Sequence, residues 1–360
     1  HFKVTTIFAN HQIFRHLYFV ELTLFTSIAL CNTVSFVFPS NCDTLRNGNV
    51  ICPDGKNKKT ILIYVNNRML NSKENFEYYS ELTDELLGEG ISCCYYDNRP
   101  LLPEDATLPT TLFDMADDAV AVYHALKTNK RFKNYKIGFY GASEAGSSAL
   151  MAASMVPNPA FLVQQSACVI PQIEKDFLIS TIYQFNLIAI FTNPKFLGMP
   201  YYRYASMIRE INEELKDKHI NDTKAYAQII IDKYFSDLNE DKKAICNRIL
   251  PKLVYDMANK LGIANRLIWN ARPYYQNVKC PILYIGGLQD TNVFGITNLV
   301  EFEKFMFEND HKKFNTILVD VNHQMLTSQE VFEKRYRHKE PVGVKRHFIW
   351  DSIKKWIMSI

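Results

Sequence analysis

The sequence predicts an α/β class with a doubly wound, mainly parallel sheet, and three observations carry that prediction. From residue 61 onward, short apolar runs rich in β-branched and aromatic residues alternate with longer stretches of helical periodicity. That is the pattern of strands covered on both faces by crossover helices. Ahead of them, YFVELTLF and NTVSFVF read as strands of an antiparallel hairpin on the sheet edge. Between Pro171 and Lys279 the alternation stops, and the chain reads as helix with no clear buried strand.

Each element has its own warrant. ILIYV (61–65) and ISCCYY (91–96) are the first two buried strands. ENFEYYSELTDELLGEG between them ends in Gly88 and Gly90, a helix stop followed by a strand. DMADDAVAVYHALK carries acids in its first turn and Lys127 in its last, matching the helix dipole. KIGFY (136–140) runs into the small-residue helix AGSSALMAASM, and AFLVQQS (160–166) follows as the next strand. ILYIG (282–286), the helix NLVEFEKFMFEN, NTILVDV (315–321) and the amphipathic RHFIWDSIKKWIMSI complete the chain. An insertion between two consecutive strands sits at the carboxyl edge of the sheet, where ligands bind in open α/β folds. The expected organisation is therefore a core over 1–170, a helical cap over 171–279 and the rest of the core over 280–360.

Composition narrows the function classes. Lys plus Arg is 41 against 38 Asp plus Glu, a net charge of +3, which argues against nucleic acid as the main partner. With 47% hydrophobic and 13% aromatic residues over 360 positions, the chain has ample material for a core and is not disordered. The most apolar stretch, Leu17 to Pro39, is interrupted by Glu21, Asn32 and several Ser and Thr, so no membrane span is expected. The opening at His1 fits a trimmed or processed chain. Eight cysteines are too sparse for a disulfide scaffold and show no Cys-x-x-Cys spacing. Cys42 and Cys52 lie symmetrically about Asn47-Gly48, and a hairpin turning there would place them opposite each other. A disulfide between them would indicate an exported or periplasmic protein; unpaired thiols would indicate the cytoplasm.

The sharpest chemical signal is KIGFYGASEAGSSALMA, a strand running into Gly141-Ala142-Ser143-Glu144-Ala145-Gly146 and then directly into a helix. A serine on so sharp a turn needs small residues two before and two after it, which Gly141 and Ala145 supply. The helix start behind Ser143 offers oriented backbone N–H groups, Glu144 first, to a developing oxyanion. A nucleophilic serine needs a base, and the base an orienting acid. Asp290 follows the strand LYIGG, and His323 follows NTILVDV. Ser143, Asp290 and His323 thus each follow a separate strand end, in the chain order that an elbow serine on such a parallel sheet requires. Asp320 is a rival acid, but it belongs to the last strand only three residues before His323, which suits a structural role. After ILIYV the chain reads Asn66-Asn67-Arg68. Asn tolerates left-handed backbone, so Asn66, then Asn67, is the expected second oxyanion donor.

With these residues in view, the chain resembles the α/β-hydrolase superfamily, and within it bacterial capped esterases whose elbow reads GHSEGG, here GASEAG. The resemblance covers roughly 58–170 and 280–325. LTDELLGEGISCCYYDNR is similar to their approach to an Asp-x-Arg-Gly turn, NARPYYQNVKCPILYIGGLQD to their approach to the acid, and VNHQ to their Asn-His ending. It implies serine hydrolysis of carboxylic esters through an acyl-enzyme, with no cofactor and no metal, on a small-molecule ester. Tyr and Phe residues at the start of the insertion, from Phe177 to Tyr204, would line an apolar substrate pocket or pack the cap's own core. The alternatives are a serine peptidase on the same fold and a hydrolase-like binding protein without activity. Three departures stand out: Asn66-Asn67-Arg68 in place of a glycine-rich loop, Asn98-Arg99-Pro100 after Asp97, and Ala142 and Ala145 beside the serine.

Overall fold

The computed structural model describes residues 32–40, 44–66, 76–99, 110–170, 191–192, 196–217, 220, 222–259, 269–339 and 343–360. Eight strands form one sheet: β1 (Thr33–Pro39), β2 (Leu45–Ile51), β3 (Thr60–Tyr64), β4 (Ser92–Tyr96), β5 (Lys136–Ala142), β6 (Leu162–Gln165), β7 (Ile282–Gly287) and β8 (Phe314–Val319). Their order across the sheet is β1-β2-β4-β3-β5-β6-β7-β8. β2 is antiparallel to both β1 and β4, and every other pairing is parallel. The expected mainly parallel sheet with antiparallel N-terminal strands is what the chain forms.

Alternation along the central strands sorts side chains onto two faces, because successive residues of a strand point opposite ways. Ile61 and Ile63 of β3, Cys94 and Tyr96 of β4, and Ile282 and Tyr284 of β7 enter one core. Helices α2 (Leu112–Thr128), α3 (Glu144–Met155), α7 (Arg272–Asn277) and α8 (Gly295–Glu308) cover that face. Leu62 and Tyr64, Cys93 and Tyr95, Leu283 and Ile285 enter the other, beneath α1 (Ser80–Gly88) and α10 (Val344–Ser359). Helix α2 begins with a reciprocal capping box, Thr111 accepting from the Asp114 amide while Asp114 accepts from the Thr111 amide. That arrangement satisfies two otherwise orphaned backbone donors.

YFVELTLF and Cys42 lie outside the described residues, and one expectation changes. Asn47 and Gly48 are not a turn: they sit inside β2, opposite Val37 and Phe36 of β1. The reversal falls instead between Pro39 and Leu45. Gly48 suits this mid-strand position because a Cβ there would fall 2.3 Å from the Phe36 ring, which covers it. Cys52, just past the end of β2, is a buried free thiol, and burial raises its pKa.

Between β6 and β7 the described residues form α4 (Tyr201–Asp217), α5 (Thr223–Tyr234), α6 (Glu240–Asn259) and α7, with no strand among them. α4, α5 and α6 bury their own apolar cluster, including Phe191, Tyr204, Ile208, Ile230 and Leu250, separate from the two sheet cores. Two of the aromatics at the start of the insertion are thus core, while Phe196, Tyr201 and Tyr202 are exposed. Trp269, Tyr275 and Val278 pack on the sheet instead. No described helix is long and apolar enough to cross a membrane.

Candidate active site

Ser143 stands on the one-residue turn between β5 and α3, with φ 56° and ψ −126°. A non-glycine residue there is strained by about 1–3 kcal/mol, so the surroundings must impose the geometry. They do so by close approach. A Cβ on Gly141 would lie 2.2 Å from the Ala145 carbonyl oxygen, and one on Gly146 2.5 Å from Cβ of Ala167. The Ser143 N–H donates to the Gln165 carbonyl of β6 at 2.8 Å, and the Ser143 carbonyl accepts from Gly146 at 3.0 Å.

Asp290 is buried in the loop after β7. Its Oδ1 accepts from the amides of Asn292 (2.9 Å) and Val293 (3.1 Å). Its Oδ2 lies 2.9 Å from His323 Nδ1. Burial pushes the Asp290 carboxyl up, but the His323 hydrogen bond and charge, the Val293 amide and the neighbouring Ser166 hydroxyl outweigh it and hold its pKa below the ordinary value. Ser166, at the end of β6, is itself buried and left-handed at φ 47°.

His323 follows β8 on a turn organised by Asn322, whose Oδ1 accepts from the amides of Gln324 (2.9 Å) and Leu326 (3.1 Å). The two loops are laced together, with Leu288 and Gln289 amides donating to the carbonyls of Val319 and Val321. His323 Nε2 lies 3.0 Å from Ser143 Oγ. With Nδ1–H donating to the carboxylate, Nε2 is the ring's acceptor and faces the serine hydroxyl. Asp290, His323 and Ser143 are therefore one continuous hydrogen-bonded chain, brought together from three strand ends. The rival Asp320 is exposed and accepts from Gln289 at 2.7 Å.

Of the expected oxyanion donors, one sits as expected and one does not. Glu144 is the first residue of α3, directly after Ser143. Asn66 is buried, and its backbone N–H points at the Tyr96 hydroxyl, 3.4 Å away, while its side-chain amide donates to the Tyr96 carbonyl at 2.7 Å. The donor expected of Asn66 is thus engaged with β4. Asn67 lies outside the described residues. Among the described residues no group of three or more His, Cys, Asp or Glu is arranged to hold a metal ion.

Arg99, the middle residue of the departing Asn98-Arg99-Pro100, is buried. It makes a two-pronged contact with Asp118 (2.7 and 2.8 Å) and a third bond to Asp114 (3.0 Å). Ser40 also donates to Asp118. This cluster ties the loop after β4 to the start of α2. The sequence carried one hint, the two acids Asp114 and Asp118 one helical turn apart on a face that is otherwise apolar.

No family model matches the sequence, and no curated protein matches it. Solved structures do. An esterase of Pyrococcus furiosus is 16% identical with a TM-score of 0.51, over 91% of this chain and 90% of that one. DcsB, solved in complex with its substrate analogue, is 13% identical with a TM-score of 0.51, over 91% of this chain and 98% of that one. Est1E from Butyrivibrio proteoclasticus is 12% identical with a TM-score of 0.51, over 90% of this chain and 98% of that one. At such identities the likeness shows a shared fold.

Proposed function

From the α/β-hydrolase fold that this chain has in common with those proteins, we propose that it is a serine hydrolase that cleaves carboxylic esters through an acyl-enzyme. The observation that carries the reading is the unbroken Asp290–His323–Ser143 chain, with the serine held on a strained turn at the N-terminus of α3.

In this reaction Ser143 Oγ attacks the ester carbonyl carbon as His323 Nε2 takes the hydroxyl proton. The tetrahedral adduct collapses, the C–O bond to the alcohol breaks, and His323 returns the proton to the departing oxygen. Water then repeats the sequence on the acyl-serine, releasing the acid. Asp290, kept ionised by its two amide donors and His323, fixes the ring tautomer and stabilises the imidazolium. The Glu144 N–H at the α3 N-terminus is the assigned oxyanion donor. Asn66 would join it only by releasing Tyr96. Losing one such donor costs about 10²–10³ in rate. The substrate is a small ester, and the helices between β6 and β7 act as a cap that adds apolar contacts.

A fluorophosphonate probe and a nitrophenyl ester series of increasing chain length test the proposal. Wild type should label covalently and turn over esters, while Ser143→Ala should lose labelling and at least about 10⁴-fold in kcat. A wild-type protein that neither labels nor turns over any ester overturns the proposal.

A further inference from the structure

β8 is the last strand of the sheet, and among the described residues nothing pairs with its outer side. Such an edge is a template for another strand unless it is blunted or covered. Its backbone directions are fixed by its inner neighbour. The carbonyls of Lys313 and Val319 accept from Ile282 and Leu288. Odd-numbered residues therefore face β7, and the N–H and C=O groups of Phe314, Thr316 and Leu318 point outward.

The side chains of those same even-numbered residues lie on the α8 face of the sheet. Thr316 donates to Glu303 of α8 at 2.8 Å, and Phe314 meets Phe307 of α8 edge-on at 5.7 Å. Ile296, Val300 and Phe307 share one stripe of α8 with Glu303, at spacings of four, three and four residues. That stripe is left to solvent: Ile296 is 49% exposed, Val300 57%, Phe307 74% and, beside them on β8, Leu318 41%. Four large apolar side chains flanking an open strand edge are the mark of an interaction surface.

We propose that this edge is a two-fold interface at which β8 pairs antiparallel with β8 of a second copy of this chain. The outward backbone groups allow an axis through Thr316. That register sets Phe314 opposite Leu318 of the second copy and brings Lys312 and Asp320, which lie just beyond the two ends of β8, toward each other, so both apolar and charged residues approach complements twice over. A one-residue shift would turn the pairing groups away from each other. Lys312 is an exposed residue paired locally with Asp310, and Asp320 with Gln289. Both are surface contacts that exchange at little cost. Because the axis stands perpendicular to the sheet, the two α8 stripes come to lie on the same face, side by side, and cover each other. The two sheets become one, and both serine sites stay at the carboxyl ends of their own strands, away from the axis.

Sedimentation velocity and light scattering on the full chain test this. Wild type should approach twice its 41.8 kDa mass at micromolar concentration. Lys312→Glu and Asp320→Lys should each weaken self-association by roughly tenfold or more, and the double exchange should restore it. Leu318→Lys should leave a monomer with an unchanged circular dichroism spectrum. Hydrogen exchange at Phe314, Thr316 and Leu318 should slow as protein concentration rises. A monomeric wild type overturns the proposal, whether its edge amides are open or protected by another segment of the same chain. A dimer indifferent to all three substitutions also overturns it.

Discussion

Asp290 shows how much one carboxylate is asked to do. It anchors two loop amides, orients His323 and stays charged although its side chain is fully buried. Its folded pKa lies below the ordinary 3.8, so it favours the folded state when ionised. That contribution is complete above 3.8 and drains away as pH falls through the lower folded value. Asp290→Asn should therefore be less stable than wild type near neutrality, by a gap that stays constant down to about pH 5 and closes below it. Urea titrations across that range measure the gap, and one independent of pH would contradict the assignment. The same variant should lose about 10⁴-fold in kcat through the wrong imidazole tautomer. The meeting of Ser143, Asp290 and His323 was legible in the sequence because each lies within a few residues of the end of a strand whose apolar run is unmistakable. The fate of the Asn66 amide was not. It depends on the Tyr96 hydroxyl, which strand pairing delivers from β4, and no local pattern encodes that approach.

At the scale of elements, the buried strands and most helices could be read because β3 to β7 are short apolar runs separated by amphipathic ones. β2 could not. LRNGNVI holds Asn-Gly, the strongest short-range turn signal, yet β2 is paired with β1 on one side and β4 on the other, and the Phe36 ring lies across Gly48. The burial of Arg99 was hidden for a related reason: its partners come from α2. Arg99 and Asp118 are both nearly fully buried, so Arg99→Ala would strand a carboxylate in the core. It should cost about 3–5 kcal/mol of stability, read as a shift in the urea midpoint. A loss below 1 kcal/mol would mean that solvent reaches Asp118. The cluster fixes where the chain leaves β4 and so holds Tyr96, the residue against which Asn66 rests.

For the whole molecule, the two sheet cores and the separate cluster of α4, α5 and α6 predict unequal local stability. Among the described residues fewer apolar side chains hold the insertion together, and Pro251 removes one hydrogen bond from the middle of α6. Under native conditions amides of α4–α6 should exchange faster than those of β3 and β5, in a unit of their own. Uniform protection across both would show one cooperative body instead. The strand order carries a further consequence, for the timing of assembly. Ser143 and His323 are 180 residues apart in sequence, and His323 emerges beyond the final strand. During synthesis the strained serine turn can form as soon as β5, α3 and β6 exist, yet its hydroxyl has no partner until β8 zips onto β7. A chain cut between β7 and residue 323 keeps most of the sheet but leaves Ser143 without His323, so the step that completes the edge of the sheet also brings the two together.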